Sequence, residues 1–167
     1  EPVFRWRARL GPKRVARIGV AWSGNPDHKE DRNRSIPLSR FQDVLTDRPD
    51  REFHVLQTVV RDSDRAILSG LRHVHDHSGM IKDYGDTAAL ISLMDVVISV
   101  DTSVVHLAGA MGWPVWVLIA RVGDWRWMLE RDDSPWYPSM WLFRQKNRDG
   151  WEPVLREVAR QLDDMLS

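Results

Sequence analysis

The stretch Asp95-Val96-Val97-Ile98-Ser99-Val100 constrains the fold most. It is apolar at odd and even positions alike and rich in β-branched residues, so a strand there is buried on both faces and needs helices on either side. Its surroundings agree. Helix Ser103 to Met111 stops at Gly112, and Pro114-Val115-Trp116-Val117-Leu118-Ile119 returns as a second buried strand, which makes a tight βαβ unit. The same alternation runs along the chain: strands at Arg17–Trp22, Glu52–Gln57, His73–His75 and Met140–Phe143, with helices beginning near Leu38, carrying Ala66, Ile67 and Leu71, capped by Asp86-Thr87 and running to Met94, and closing the chain from Trp151 to Leu166. Pro153 suits the first turn of that last helix. The pattern predicts an α/β fold, a Rossmann-like doubly wound parallel sheet.

A chain of 167 residues suffices for one such domain. The opening Phe4–Pro12 reads as the end of a helix and a stop, so residues 1–12 are expected to be the end of an interdomain helix or linker and 13–167 the domain, cut from a longer chain. Lys+Arg and Asp+Glu both number 24, leaving no global field to recruit nucleic acid or an anionic membrane; an anion site has to be built locally. With no cysteine there is neither a disulfide framework nor a thiolate zinc site, which suits the cytoplasm. No apolar run approaches the roughly 20 residues of a membrane span.

In open α/β sheets ligands bind beyond the carboxyl ends of the strands. Asp101-Thr102-Ser103 stands where the central strand turns into its helix, offering hydroxyls and free amides at the positive end of the helix dipole. His106, one turn on, can lean back over that helix start and bond a phosphate oxygen. The simpler reading is that Asp101 and Thr102 merely cap a helix. After the first strand, the loop Ser23 to Arg34 is longer than a connector requires.

The segment Asp95 to Val115, with Asp101-Thr102 followed by His106-Leu107-Ala108, Ala110, Gly112 and Pro114, resembles the D-[ST]-x-x-x-H-L-A-x-A-x-G-x-P signature of heptosyltransferase-like glycosyltransferases. Gly19–Pro26, Arg34–Leu38, Asp86–Ile91 and Asp133–Pro138 are similar to a bacterial group that carries tetratricopeptide repeats ahead of such a domain; O-GlcNAc transferases share the architecture more distantly. The resemblance implies the C-terminal, donor-binding lobe of a two-lobed GT-B enzyme whose substrate is a nucleoside-diphosphate sugar, with no further cofactor and no catalytic metal. It implies that Asp101, Thr102, Ser103 and His106 meet the donor pyrophosphate, His106 stabilising charge on the leaving diphosphate. Ser23, Gly24 and Asn25 would line the same cleft, Gln57 would follow the second strand, and Tyr84, Gly85 and Asp86 would frame the nucleobase. Arg34 falls where such enzymes put a base against the phosphates, although a solvated arginine in the charged run Asp27 to Arg34 reads as well. The group usually shows a lysine where this chain has Thr58. The acceptor-side base is implied to sit in an N-terminal lobe absent from this chain, which alone should bind donor without transferring sugar.

Two rivals and two further clusters stand beside this reading. A dinucleotide-dependent oxidoreductase needs a G-x-G-x-x-G after the first strand and an acidic residue closing the second; Ser23-Gly24-Asn25-Pro26 offers one glycine and the second strand ends in Gln57. A non-catalytic interaction domain that kept the fold is the other rival. His73, His75 and His77 alternate as in a metal-binding tract, but alternate residues on one strand seldom converge on one ion, and no metal is expected. Seven of the nine tryptophans lie between Trp113 and Trp151, more in keeping with a packed core or lobe interface than with a stacking platform.

Overall fold

A computed structural model describes residues 1–147 and 150–167. Six parallel strands form one sheet in the order β3-β2-β1-β4-β5-β6: β1 Ala16–Ala21, β2 Arg51–Val55, β3 Val74–His75, β4 Val96–Val100, β5 Val115–Ile119 and β6 Met140–Arg144. This is the Rossmann strand order, with its switch point between β1 and β4. The strand period of two sorts the sheet residues between two cores. Ile18, Val20, Val96, Ile98 and Val100 enter one cluster, together with Leu38, Phe41, Leu68, Leu155 and Val158 from covering helices. Ala21, Val97, Val115, Val117 and Ile119 enter the other, with Trp6, Leu90, Val105 and Ala108. The doubly buried central strand is therefore satisfied on both faces, all five of its residues being buried.

Among the described residues seven helices accompany the strands, α1 ahead of β1 and α7 after β6: α1 Pro2–Leu10, α2 Asp31–Arg34, α3 Leu38–Phe41, α4 Asp62–Gly70, α5 Tyr84–Ile91, α6 Ser103–Ala110 and α7 Glu152–Leu166, with a 3₁₀ turn at Trp125–Trp127. In α7, Val154, Leu155, Val158 and Leu162 make the buried stripe and Pro153 sits in the first turn, where its missing N–H costs nothing. On β1, Gly19 is required by close approach: a Cβ there would come within 2.6 Å of the Leu56 side chain and 3.1 Å of Met94. No helix among the described residues is long and apolar enough to cross a membrane.

The expected start of α5 is corrected by one turn. Asp83, not Asp86-Thr87, is the N-cap: its backbone is extended and its carboxylate accepts from the Asp86 amide at 2.9 Å. The helix ends at Ile91 and continues to Met94 only as turns. Asp86 itself is buried within the first turn, where its carboxylate accepts from the Trp6 indole at 3.1 Å, from the Lys82 amide at 2.9 Å and from the Arg5 guanidinium. The Lys82 amide foremost, then Trp6 and Arg5, hold its carboxyl below the ordinary carboxylate value against the opposing push of burial. These bonds fasten α1 to α5.

Candidate functional site

Beyond the carboxyl ends of β1, β2 and β4 lies an open cleft of about 630 Å³, at the switch point of the sheet. The loop after β1 supplies Ser23, Gly24, Asn25 and Arg34, the end of β2 supplies Leu56, Gln57, Thr58 and Val59, and the start of α6 supplies Thr102, Ser103 and Val104. Asp83, Tyr84 and Thr87 close the side formed by α5. Of the residues singled out in the sequence, Ser23, Gly24, Asn25, Arg34, Gln57, Tyr84, Thr102 and Ser103 thus share one cavity. Gly85, Asp86, Asp101 and His106 do not line it. For Asp86 the reason is the bonding to α1, which turns its carboxylate away from any nucleobase in the cleft.

Local hydrogen bonding explains the shape of the wall formed by β1 and β2. The buried Gln57 amide oxygen accepts from the amides of Trp22 at 2.9 Å and Ser23 at 3.3 Å, while its nitrogen donates to Ser23 Oγ at 3.0 Å and to the Val59 carbonyl at 2.8 Å. Ser35 Oγ accepts from the Gly24 amide at 3.0 Å and donates to Asp31 at 2.7 Å, and Arg61 donates to the same Asp31. Below them, Asp64 accepts from the Trp22 indole at 2.9 Å and the Leu38 amide at 3.2 Å.

Arg34 crosses from this wall to the next. Its Nη1 donates to the Asp101 carbonyl at 3.1 Å, its Nε is buried with no hydrogen-bond partner among the described residues, and its guanidinium lies over Gly24, where a Cβ would come within 2.6 Å of Nη2. Beside it, Thr102 is the N-cap of α6 in extended backbone, with no side-chain bond to the helix; its hydroxyl meets Ser99 Oγ at 3.3 Å. Ser103 is exposed, and among the described residues its hydroxyl has no hydrogen-bond partner. The cleft therefore presents a guanidinium beside the start of a helix, a combination suited to an anion.

His106 opens instead into a neighbouring cavity of about 380 Å³, lined also by Trp125, Arg126, Trp127, Trp136 and Tyr137. Its ring stacks on Trp127 with centroids 5.4 Å apart, and its Nε2 lies 3.6 Å from the Asp101 carboxylate, which also accepts from the Trp127 indole at 2.8 Å. Burial pushes the Asp101 carboxyl up, but the contacts from His106 and Trp127 outweigh it and hold the group below the ordinary carboxylate value. Asp101 thus orients the imidazole rather than facing the cleft. The tryptophans divide: Trp127 and Trp151 are buried, whereas Trp125 and Trp136 are 73 % and 57 % exposed at or beside this second cavity. The expected site residues did not include Leu56, Thr58, Val59, Asp83, Thr87 and Val104; the spacing Asp83-x-x-Asp86, a cap followed three residues later by an acid, is the signal that places Asp83 at the rim.

No protein-family model matches the chain. It is 37 % identical over 174 aligned residues to Protein FlbA of Caulobacter vibrioides, an alignment that covers 99 % of this chain and 28 % of that protein, so the chain spans little more than a quarter of its relative. Among solved structures it is similar to ADP-heptose LPS heptosyltransferase II of E. coli, with a TM-score of 0.65 and 15 % identity over 99 % of this chain and 51 % of the other. It is also similar to a protein assigned as a UDP-N-acetylglucosamine 2-epimerase from Listeria monocytogenes, with a TM-score of 0.51 and 18 % identity over 99 % of this chain and 39 % of that one. The chain has the Rossmann-like α/β fold that makes up one half of a GT-B architecture.

Proposed function

We propose that this chain is the donor-binding lobe of a glycosyltransferase and that its cleft holds the diphosphate of a nucleoside-diphosphate sugar. The observation that carries the reading is the cleft at the switch point, where Arg34 and the first turn of α6 line one cavity side by side. The fold shared with half of heptosyltransferase II supports it. Thr102, Ser103 and the adjoining amides would bond phosphate oxygens, Arg34 would offset their charge, and Tyr84 at the rim would offer a ring face to the base. His106 sits on the helix that binds the phosphates but faces the aromatic cavity. From there it would reach the sugar side of the diphosphate and donate to the leaving oxygen as charge develops.

In this reading the reaction needs a second lobe to supply the acceptor and its base. That lobe and tetratricopeptide repeats would belong to the rest of a longer cytoplasmic protein, and the present chain alone would bind donor without turnover. Isothermal titration with UDP, ADP and GDP, and with NAD as the comparison, tests it. One nucleoside diphosphate should bind saturably, and His106→Ala should weaken binding of the cognate sugar nucleotide by about 10–100-fold, as loss of a charge-assisted hydrogen bond does. Preference for NAD, or an affinity that ignores both Arg34→Ala and His106→Ala, would overturn the assignment.

A further inference from the structure

On the face of the sheet beside α1, four side chains gather that the cleft does not use. Glu52 and His54 are alternate residues on β2 and so share one face; His75 of β3 pairs with His54 in the parallel register, and His77 follows two residues later. Sequence alone offers His73, His75 and His77 on one strand. Pairing with β2 changes the set, because His73 is drawn elsewhere, its Nε2 lying 2.7 Å from the Leu45 carbonyl, while Glu52 and His54 are brought to His75.

We propose that Glu52, His54 and His75 bind a divalent cation of the zinc class, with His77 as the outer partner that orients His54. One ligand atom from each of the three lies within 4.8 Å of the others. His54 Nε2 is 3.2 Å from Glu52 Oε1, and His75 Nε2 is 3.6 Å from Glu52 Oε2. Zinc bonds of about 2.0–2.1 Å in a tetrahedron put neighbouring ligand atoms about 3.4 Å apart, so the separation of His75 from Oε2 fits nearly as it stands, and a small turn of the carboxylate brings the same oxygen to His54. Two imidazoles and one carboxylate are a donor set for zinc, cobalt or nickel rather than for calcium or magnesium.

The surroundings support ligation. His54 Nδ1 and His77 Nε2 are 3.0 Å apart with one proton to share; ligation through His54 Nε2 puts that proton on Nδ1, and His77 accepts it. The remaining nitrogen of His77, Nδ1, is buried without a partner among the described residues, so hydrogen bonds within the protein do not use up this cluster. His75 keeps 45 % of its side chain exposed, which leaves an entry path and a fourth position for water. Arg17 donates to Glu52 Oε1 at 2.8 Å and Arg9 lines the same cavity, both opposing a dication; Asp76 lines it too and partly offsets them. Glu52 therefore ligates through Oε2, the oxygen Arg17 does not hold. Because Trp6 of α1 packs edge-on against His77 and Leu10 lines the cavity, the ion would fasten α1 to the sheet edge.

Calorimetric titration of the untagged, metal-free protein with zinc chloride, and its absorption spectrum with cobalt(II), test the site. One ion per chain should bind, cobalt should give the intense visible bands of a low-coordinate N/O site, and zinc should raise the melting temperature. His77→Ala should weaken zinc by about 10–100-fold, His75→Ala should weaken it further, and His28→Ala, remote and exposed, should change nothing. In the unaltered protein, nitrogen NMR should show zinc moving the Nε2 signals of His54 and His75, a readout independent of how any variant folds. Absence of saturable binding, or undiminished binding by His75→Ala with those signals unmoved, overturns the proposal.

Discussion

The two walls of the cleft are built on opposite terms. On the side of β1 and β2 the polar groups are spent on one another: Gln57 holds Trp22, Ser23 and Val59, and Asp31 with Ser35 and Arg61 holds the loop that carries Gly24. At the start of α6 the Thr102 side chain does not cap the helix, and among the described residues the Ser103 hydroxyl has no hydrogen-bond partner and that of Thr102 has Ser99 alone. A buried polar group has to be satisfied, so the first wall reads as scaffold; an exposed donor set at a helix start can wait for a ligand. Substitutions among the mutually bonded residues of the first wall should therefore register as stability, and those in the second wall, or at the seat of Arg34, as binding.

The largest effect should come from Asp64→Ala. It removes the acceptor for the buried Trp22 indole and the Leu38 amide, and should destabilise the fold by about 2–4 kcal/mol, read from urea unfolding. A loss below about 1 kcal/mol would break the view of this wall as scaffold. Next is Asp86→Asn, expected to cost about 1–2 kcal/mol at neutral pH because Arg5, Trp6 and Lys82 all donate to the carboxylate. The folded state holds this carboxyl below its ordinary value of 3.8, so the unfolded chain takes up the proton first as pH falls. The stabilisation is complete above that value and is lost as pH drops through the folded one, so melting curves of variant and parent should converge in acid.

Gly24→Ala should leave stability within about 1 kcal/mol, since the clash is with the flexible end of Arg34, yet weaken diphosphate binding by displacing that guanidinium. Ser103→Ala is the mildest and sharpest of the set: stability unchanged within about 0.5 kcal/mol and nucleotide affinity reduced severalfold, compared by thermal melting and calorimetry on the same sample. If Ser103→Ala melted early and bound normally, the two walls would have to exchange roles.

Much of this was legible in one sequence because burial writes itself into local pattern. The buried β-branched runs of β4 and β5 announce themselves, and Val96 to Val100 could only be a central strand, while β2, β3 and β6 follow from short apolar or aromatic stretches between helical ones. Ser103, after the central strand, follows from topology, and Ser23 and Gln57 from the resemblance to glycosyltransferases. What sequence misread depended on partners far along the chain. Asp86 reads as a helix cap beside Thr87, and only the arrival of Arg5 and Trp6, some 80 residues earlier, makes it a buried anchor. The structure also adds to His106 what its sequence neighbours do not carry: Trp127 and Tyr137, from the segment after β5, pack against it and line a second cavity with it. The histidine tract needed β2 beside β3 before its useful members could be told from His73.

The fastening of α1 through Asp86 has a practical side. Tyr84, two residues away on the same helical turn, stands on the rim of the cleft, so the first ten residues and the cleft share one foundation. Trimming the protein to begin at its first strand would uncover the seat of Trp6 and leave a stranded negative charge under the place where a nucleotide is expected to arrive. A shortened form that failed to bind would then report the surgery and not the site.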